Sequence, residues 1–404
     1  MKKDVLFLCQ YFYPEYISSA TLPRDVALSL KKSGMSVDVL TGFPYEYNDG
    51  EKVEKKESYK GINIQRVKYL KLKRSNFIGR LVNFFSFFCS MSFKLLKLRH
   101  YKIIIVYSNP PILPLLAIWA NKLFKTKIIF VGFDIYPEIA INTRSLKKNS
   151  VIDKVMTYIN NKLFNSVDRV VALSNDMKDF LINNRNIEEH KIKVIPNWYE
   201  IENMETIVYD FPTLDTFIEN SDLVVSYFGN MGICQDMQTI LDAMLLLKKQ
   251  PRIKFLLAGH GVKKDEIKIF IEENNLSNAV VFDFLQGQDY KYALSRSDCF
   301  VVSLEDSVEG LAVPSKTYSY MMAGKTIVSI MNDETDIAKE VVGNNLGVHV
   351  SNGCSKELAE KLMFLANNND FLLESGKNAR ERFLSKYTTE KCTKQYLEMI
   401  EEML

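Results

Sequence analysis

The chain has 404 residues, of which 47% are hydrophobic and 25% are charged. This composition is typical of a folded protein, and the length predicts two domains because a single core rarely grows so large. The six cysteines are scattered without a C-x-x-C pair, which argues against a disulfide framework or a zinc site and favours a reducing compartment. No apolar run reaches the roughly 18–20 residues of a membrane span. The N-terminal run Val5–Cys9 is better explained as a first strand than as a signal peptide.

The net charge of +3 conceals a strong asymmetry. Residues 1–200 hold 32 Lys and Arg against 18 Asp and Glu, a net charge of +14, whereas the remainder holds 20 against 31, a net charge of −11. No acidic residue occurs between Glu57 and Asp134. Part of that window, Lys68–Lys102, contains the basic residues Lys68, Lys71, Lys73, Arg74, Arg80, Lys94, Lys97, Arg99 and Lys102. Between them lie the phenylalanines Phe77, Phe84, Phe85, Phe87, Phe88 and Phe93.

Basic residues that flank an aromatic, apolar helix are typical of a surface that binds anionic lipid. We therefore predict peripheral membrane contact through Lys68–Lys102. A core helix whose polar face is basic is the alternative interpretation. Nucleic acid is less favoured, because no recognised binding motif accompanies the charge.

Short β-branched runs alternate with helical patterns along the chain. In the first half the predicted strands are Val5–Cys9, Val37–Leu40, Ile62–Val67, Ile103–Val106, Lys127–Val131, Arg169–Ala172 and Lys193–Ile195. In the second half they are Leu223–Tyr227, Ile253–Ala258, Val280–Phe282, Cys299–Ser303, Thr326–Ile330 and Gly347–Val350. Apolar strands separated by helices predict parallel sheets covered on both faces. Two such sets predict an α/β protein with two Rossmann-like, doubly wound domains.

The domain boundary is predicted just after Pro196-Asn197, where an irregular, acidic stretch begins. This gives a first domain of residues 1–200, a second of residues 201–385, and a C-terminal helix within 386–404 that packs back on the first domain. Ligands of open parallel sheets bind outside the carboxyl ends of the strands. We therefore expect the site residues to follow strands and to face a cleft between the domains.

The second domain carries a glycine turn, Gly229-Asn230-Met231-Gly232, between a strand and the helical pattern Thr239–Lys248. Such a turn lets backbone N–H groups and a helix N-terminus face an anion. Many strand–helix turns carry glycine only for packing, which is the structural alternative. We predict that all four residues contact a diphosphate.

A second candidate element is Pro314-Ser315-Lys316, which precedes the apolar helical pattern Tyr318–Ala323. Proline is normal at a helix start, but a lysine there opposes the helix dipole. The placement is explained if an anion binds at the same helix end, although a solvated lysine is the alternative. The two elements together indicate a sugar nucleotide as the ligand, and Pro314, Ser315, Lys316 and Tyr318 are accordingly predicted to bind this sugar donor.

Three further positions follow strands of the second domain. Glu309 is a candidate for sugar hydroxyls and catalysis, or a solvated loop carboxylate. Gly259 ends a strand with His260 and Gly261, and these glycines would let the chain turn close to the ligand. Leu285 could frame a nucleobase through its backbone.

In the first domain, Asp134 follows a strand within Val131–Glu138 and is braced by Pro137. It could bind an acceptor or assist proton transfer, or it could simply cap a helix. Glu138 and the loop residues Ser18 and Ser19 are predicted on the same acceptor side. The chain contains no G-x-x-x-x-G-K-[ST] loop, no G-x-G-x-x-G after its first strand, no G-x-S-x-G elbow and no clustered His, which disfavours NTPases, NAD enzymes, serine hydrolases and metal sites.

The ordered set of these motifs resembles that of bacterial retaining glycosyltransferases of the GT-B fold, family 4-like, in the branch of colanic acid, O-antigen and capsule transferases. The resemblance covers nearly the whole chain and rests on Tyr13-Pro14-Glu15, Asp134-Ile135-Tyr136-Pro137-Glu138, Ile195-Pro196-Asn197, Tyr227-Phe228-Gly229-Asn230-Met231-Gly232, Ala258-Gly259-His260-Gly261 and Pro314-Ser315-Lys316 with Ala323-Gly324.

The resemblance implies a nucleotide-sugar donor, often UDP-linked, with no bound metal or other cofactor, and retention of anomeric configuration. It also implies a sugar acceptor on a polyprenyl diphosphate lipid, and hence a cytoplasmic protein on the inner face of the plasma membrane. The chain departs from the wider family in several places. It has Ser18-Ser19 for Gly-Gly, Asp134 for His, Ser319 and Leu311 for Glu, and Gln235 and Asp236 near positions of Arg and Lys. A sugar-nucleotide epimerase of the same fold and a catalytically silent, glycosyltransferase-like binding subunit therefore remain alternatives.

Overall fold

The computed structural model describes residues 2–44, 50, 52–72, 77–204, 207 and 209–404. Two basic residues of the predicted membrane surface, Lys73 and Arg74, lie outside the described residues, as does the side chain of Phe77. The chain forms two compact units. Unit 1 comprises Met1–Asn197, Gly310–Val313 and Thr389–Leu404, and unit 2 comprises Trp198–Glu309 and Pro314–Thr388.

Unit 1 is built on an eight-stranded sheet. Its strands are β1 (Lys3–Leu8), β2 (Val37–Gly42), β3 (Lys56–Tyr59), β4 (Ile62–Val67), β5 (Tyr101–Tyr107), β6 (Lys127–Val131), β7 (Arg169–Ala172) and β8 (Ile192–Val194). Their spatial order is β3-β4-β2-β1-β5-β6-β7-β8. Every neighbouring pair is parallel except β3–β4, which is antiparallel at the sheet edge.

The helices of unit 1 cover both faces of this sheet. They are α1 (Ser18–Lys32), α2 (Phe77–Ser92), a 3-10 helix at Leu95–His100, α3 (Pro114–Phe124), α4 (Glu138–Asn142), α5 (Val151–Phe164), α6 (Asn175–Arg185), a 3-10 helix at Glu189–Lys191 and, at the C-terminus of the chain, α15 (Thr389–Glu401). The crossovers from β4 to β8 all step in one direction along the sheet, whereas β1–α1–β2 steps in the other. Because parallel crossovers are right-handed, α2, α3, α5 and α6 lie on one face. The helix α1 lies on the opposite face, where α15 packs against it.

Unit 2 is built on a six-stranded sheet in which every pair is parallel. Its strands are β9 (Leu223–Asn230), β10 (Ile253–His260), β11 (Ala279–Phe282), β12 (Cys299–Ser303), β13 (Thr326–Ile330) and β14 (Gly347–Val350), in the order β11-β10-β9-β12-β13-β14. Its helices are α7 (Pro212–Ile218), α8 (Gln238–Leu246), α9 (Lys264–Glu273), α10 (Gly287–Arg296), a 3-10 helix at Asp306–Val308, α11 (Lys316–Met322), α12 (Asp336–Gly343), α13 (Ser355–Ala366) and α14 (Asn369–Lys386).

The predicted fold of two doubly wound α/β domains is confirmed, and each predicted strand is present. The sequence interpretation missed two elements. The edge strand β3 is polar and half-exposed, so it lacks the apolar pattern by which buried strands are recognised. The helix α7 lies in the stretch predicted to be irregular, where it buries only Leu214 and Ile218.

Candidate functional site

A buried lysine is the central feature of unit 2. Lys316 is the first residue of α11, and its Nζ lies 3.6 Å from the centroid of the Tyr227 ring on β9. This nitrogen is shielded from solvent and has no hydrogen-bond partner among the residues that the structure describes. Burial lowers the pKa of Lys316 to about 7, because a low-dielectric environment disfavours the charged ammonium. An ammonium placed in this way can be satisfied by an anion.

The glycine turn lies directly beside this ammonium. A Cβ added to Gly229 would meet the Lys316 Cε at 3.5 Å and its Nζ at 3.6 Å. The turn is braced by its own neighbours, since the Tyr227 hydroxyl donates to the Asn230 carbonyl oxygen at 2.6 Å and the Met231 N–H donates to the His260 oxygen at 2.7 Å. The structure therefore brings together Gly229 and Lys316, which are 87 positions apart in the sequence.

The helix that follows the glycine turn begins within one residue of the predicted Thr239, and so lies several residues beyond the turn itself. The helix α8 starts at Gln238, several residues after Gly232. Asp236 lies just before the helix, and its carboxylate accepts from the Thr239 backbone N–H at 3.0 Å and from the Thr239 hydroxyl at 2.6 Å. The Gly232 N–H donates to the Gln235 side chain at 3.0 Å. Residues 233–237 therefore separate the glycine turn from α8, and a carboxylate of the chain accepts from one of the N–H groups at the start of that helix.

The glycines after β10 serve the packing of the turn. Gly259 lies opposite Gly229 in the parallel register, and a Cβ on Gly259 would overlap the Gly229 carbonyl oxygen. A Cβ on Gly261 would overlap the Met231 carbonyl in the same way. Both glycines have positive φ angles, which other residues rarely adopt. These glycines bring β10 close to the backbone of the glycine turn, which explains them without a ligand.

The side chains of α11 divide between the site and the core. Ser315 is its N-cap residue, and Pro314 precedes it. Tyr318, predicted to bind the donor, is only 4% exposed and its ring lies 4.9 Å from that of Tyr387, so it is a core residue. The hydroxyl of Tyr320 instead reaches the glycine-turn strand, where it accepts from the Phe228 N–H at 2.9 Å and donates to the Phe228 oxygen at 2.8 Å.

Tyr227 and Tyr320 contribute to the site, although neither is among the predicted donor-binding residues. Tyr227 enters the sequence analysis only as a strand residue and as part of a motif that carries the family resemblance. The sequence signal for Tyr227 is that a large aromatic residue stands two positions before Gly229 at the end of the strand. Residues two apart in a strand lie on the same face of the sheet.

The remaining predicted donor residues lie at the carboxyl ends of the same sheet. Leu285 is partly buried in the loop after β11, next to Phe284, whose ring lies 5.2 Å from that of His260. Glu309 follows the 3-10 helix Asp306–Val308 and is partly buried. It does not pair with Lys316, whose ammonium has no carboxylate partner among the described residues. Ser319 accepts from the Tyr290 hydroxyl at 3.0 Å and donates to the Lys316 carbonyl oxygen at 2.8 Å.

In unit 1 the predicted catalytic residue is Asp134. It follows β6, pairs by an isolated antiparallel bridge with Ala312, and donates its N–H to the Ser108 hydroxyl at 3.1 Å. Together with Ser108 and Asn160 it lines a small cavity that also includes apolar side chains. Burial raises its pKa to about 6. The helix-cap alternative does not apply, because the N-cap of the next helix, α4, is Pro137.

The other predicted acceptor-side residues have local roles in unit 1. Glu138 forms an ion pair with Arg185, a largely buried partner. Ser18 and Ser19 form the first turn of α1, where Ser18 is exposed and Ser19 is partly buried. Asp134 is thus the predicted acceptor-side residue that lines a cavity.

Two further properties of the described residues bear on the site. No group of three or more His, Cys, Asp and Glu side chains among them is arranged to hold a metal ion. None of the helices that the structure describes combines the length and apolarity of a membrane span.

Comparison with protein families gives a match in each half of the chain. Residues 20–203 match the family described as Glycosyltransferase Family 4, and residues 215–382 match the family described as Glycosyl transferases group 1.

Curated proteins that are similar to this chain are named as glycosyltransferases. The chain is 26% identical to the probable glycosyltransferase WbjE of Pseudomonas aeruginosa over 250 residues, and this alignment covers 62% of each chain. It is 22% identical over 343 residues to the putative colanic acid biosynthesis glycosyl transferase WcaI of Escherichia coli, covering 81% of this chain and 83% of WcaI. Alignments with WbjE and with the uncharacterized glycosyltransferase MJ1069 of Methanocaldococcus jannaschii span about three fifths of those proteins (62% and 60%).

Solved structures share the fold over the full chain. Sucrose-phosphate synthase from Thermosynechococcus elongatus superposes with a TM-score of 0.73 at 14% identity, covering 100% of this chain and 99% of that one. Anabaena HepE, solved with UDP and glucose, superposes with a TM-score of 0.71 at 16% identity, covering 99% and 100%. From the two family matches and this shared architecture, the chain belongs to the GT-B glycosyltransferases of the family 4 type.

Proposed function

We propose that the protein is a retaining glycosyltransferase that moves a sugar from a UDP-linked donor to a lipid-linked acceptor in surface polysaccharide biosynthesis. The family matches support the transferase class, and the similarity to WcaI supports polysaccharide biosynthesis. The similarity to HepE, which was solved with UDP and glucose, supports a UDP-linked donor. No resident metal or other cofactor takes part in the proposed reaction.

The observation that carries the proposal is the Lys316 ammonium. It is buried over the Tyr227 ring, beside Gly229, without a carboxylate or hydrogen-bond partner among the described residues. A diphosphate bound there would form charge-assisted hydrogen bonds with this ammonium, which are stronger than neutral ones. It would also replace the missing solvation of the charge.

In the proposed reaction, the bond between the anomeric carbon and the diphosphate oxygen breaks. The acceptor hydroxyl oxygen forms its bond on the same face of that carbon, and the departing diphosphate takes the hydroxyl proton. Lys316 stabilises the negative charge that develops on the leaving diphosphate. Gly229–Gly232 contact the diphosphate, and Glu309 binds hydroxyls of the donor sugar.

Asp134 is proposed to bind the acceptor from unit 1. Its carboxylate, whose pKa burial raises to about 6, can accept a hydrogen bond from the acceptor hydroxyl, and Ser108 and Asn160 line the same cavity. The acceptor is proposed to be a sugar on a polyprenyl diphosphate. Peripheral contact of Lys68–Lys102 with the inner face of the plasma membrane would bring the enzyme to such a lipid.

The decisive experiment is calorimetric titration with UDP of the wild type, Lys316→Ala and the matched surface control Lys361→Ala, which alters only an exposed pair with Glu357 on α13. We expect Lys316→Ala to weaken UDP binding by roughly 1.5–3 kcal/mol and the control to bind as the wild type. Unchanged affinity of Lys316→Ala would remove this lysine from the donor site.

A second candidate function, a silent nucleotide-binding subunit, is favoured by one observation. The Asp236 carboxylate caps α8 close to the glycine turn, where it would oppose a diphosphate. The two functions are separated by incubating the protein with a panel of nucleotide sugars. Release of free UDP supports the transferase, whereas UDP binding without release supports the silent subunit. Conversion of the donor into another sugar nucleotide would indicate an epimerase.

A further inference from the structure

The exposed apolar side chains of unit 1 are concentrated in one segment. Among the described residues of this unit, every large apolar side chain that is exposed, apart from Leu404, lies between residues 70 and 158. These side chains are Leu70, Leu72, Ile78, Phe85, Phe93, Leu96, Trp119, Leu123, Val151, Val155 and Tyr158. The segment therefore extends well beyond the predicted membrane contact at Lys68–Lys102.

These side chains lie on one helical layer or in the loops directly next to it. The crossovers that contain α2, α3 and α5 step in the same direction along the sheet, and parallel crossovers are right-handed, so these three helices lie on the same face. The layer is continuous, because the Phe88 ring on α2 meets the Trp119 ring on α3 at 5.6 Å. The helix α3 packs in turn against α5 and against the 3-10 helix Leu95–His100. The apolar side chains that this layer exposes thus lie on one side of unit 1.

The helix α5 has an apolar outer face as well as an apolar inner face. Its inner face buries Ile159 and Leu163. Val151, Val155 and Tyr158, spaced as neighbours on a helix surface, are 78%, 49% and 61% exposed. A helix that only covers a sheet presents polar residues to water, so this outer face requires another explanation.

The charge of the same region is almost entirely basic. Residues 58–167 contain 19 Lys and Arg and three acidic residues. None of these three acidic residues is exposed. Asp134 lines the cavity, Glu138 pairs with Arg185, and Asp153 accepts from the Asn149 N–H at 2.6 Å and the Thr157 hydroxyl at 3.1 Å. The basic side chains exposed on or next to α3 and α5 are Lys122, Lys125, Arg144, Lys147, Lys148, Lys154 and Lys162.

We propose that α5 is a second membrane-contact element, so that unit 1 binds an anionic bilayer through the outer surface of the α2–α3–α5 layer. Exposed apolar side chains surrounded by lysines, with no outward carboxylate among those of residues 58–167 that the structure describes, match a surface of apolar tails and anionic headgroups. An acidic protein surface would satisfy the lysines, but it would leave eleven apolar side chains without a matching apolar area.

The placement of α5 also connects the bilayer to the proposed acceptor site, and to that extent the inference rests on the proposed function. Asn160 and Phe164, on the inner side of α5, line the same cavity as Asp134. One helix thus contacts lipid on its outer face and the cavity on its inner face. This arrangement suits an acceptor whose sugar is attached to a membrane lipid.

The first test is flotation with vesicles of phosphatidylcholine containing phosphatidylglycerol. The triple variant Val151→Ser/Val155→Ser/Tyr158→Ser is compared with the wild type and with a control in unit 2, Leu245→Ser/Leu246→Ser/Val342→Ser, which also replaces three exposed apolar residues. We expect the α5 variant to lose roughly tenfold or more in partitioning and the control to float as the wild type. Equal flotation of the α5 variant and the wild type would overturn the proposal.

The second test uses intrinsic fluorescence and does not require a variant of α5. The chain has two tryptophans, of which Trp198 is buried in unit 2 and Trp119 is 38% exposed on α3 between α2 and α5. Brominated lipids quench only fluorophores that reach the acyl region, so we expect quenching in the wild type and none in Trp119→Phe. Absence of quenching in the wild type would contradict docking through this layer.

UDP titration without vesicles distinguishes the failure of this inference from failure of the proposed function. If the α5 variant binds UDP and floats with vesicles as the wild type does, α5 is not a membrane contact and the proposed donor site stands. If wild-type protein floats but does not bind UDP, the membrane surface stands and the proposed donor site does not.

Discussion

The Lys316 ammonium lies 3.6 Å from the centre of the Tyr227 ring, so a cation from α11 is seated on an aromatic face provided by β9. A cation over a ring face is attracted electrostatically, but a ring cannot replace an anionic partner. The free protein therefore holds a lysine whose pKa is lowered to about 7.

UDP binding is expected to depend on pH through Lys316. The free-state pKa is about 7, and a bound diphosphate would raise it, because a nearby anion favours the charged form. Affinity should therefore be full below pH 7 and fall by up to about tenfold for each pH unit above it. Calorimetry between pH 7 and 9, in buffers of different ionisation enthalpy, would measure both the affinity and the proton uptake. Lys316→Arg should flatten the profile, and an equally steep profile in that variant would assign the proton to another group.

Replacing Asp134 by Asn should stabilise the protein at alkaline pH. Burial raises the pKa of Asp134 from 3.8 to about 6. Its contribution to stability is therefore fully present below pH 3.8 and is lost as the pH rises through 6. At pH 8 we expect Asp134→Asn to increase the free energy of unfolding by roughly 1–3 kcal/mol, with the difference vanishing near pH 4. Denaturant unfolding as a function of pH checks this, and a pH-independent difference would show that Asp134 does not titrate as the structure implies.

Gly259→Ala should disrupt unit 2, whereas Gly343→Ala should be tolerated. A Cβ at Gly259 would overlap the Gly229 carbonyl oxygen, and backbone atoms of a paired strand cannot move aside. Gly343, at the end of α12, has no atom within 4 Å of an added Cβ, and alanine favours the helix by up to about 1 kcal/mol. We expect Gly259→Ala to cost more than roughly 3 kcal/mol, or to abolish soluble expression. Wild-type stability of Gly259→Ala, measured by thermal unfolding, would contradict the close approach of β9 and β10.

Breaking the Glu138–Arg185 pair should affect stability. Arg185 is largely buried, so Glu138→Gln leaves its charge without a carboxylate. We expect a loss of about 3 kcal/mol in the free energy of unfolding. UDP affinity should not change, since the pair lies in unit 1 and the proposed donor site in unit 2. The surface control Glu357→Gln, in an exposed pair with Lys361, should cost less than about 1 kcal/mol. Loss of acceptor use without loss of stability would instead restore the acceptor role predicted for Glu138.

The alternation of apolar strands with amphipathic helices determined the doubly wound architecture, because strands buried on both faces require continuous apolar runs wherever they lie in the chain. The same local reasoning found Lys316, whose charge opposes its helix dipole, and the basic, acid-free window of the first half. It could not show that Asp236 caps α8 or that Gly259 packs against Gly229, since a cap and a packing glycine look the same in sequence as ligand contacts.

Only the tertiary structure decided which distant residues meet. It placed the Lys316 ammonium on Tyr227, turned Tyr318 into the core and Tyr320 toward β9, and left none of the three acidic residues of segment 58–167 exposed. The physical reason is that the spacing of apolar residues within a segment shows which of its residues are buried, but not which residues they contact. The partner of a buried charge depends on which strands are neighbours in the sheet, and that order is a property of the whole chain.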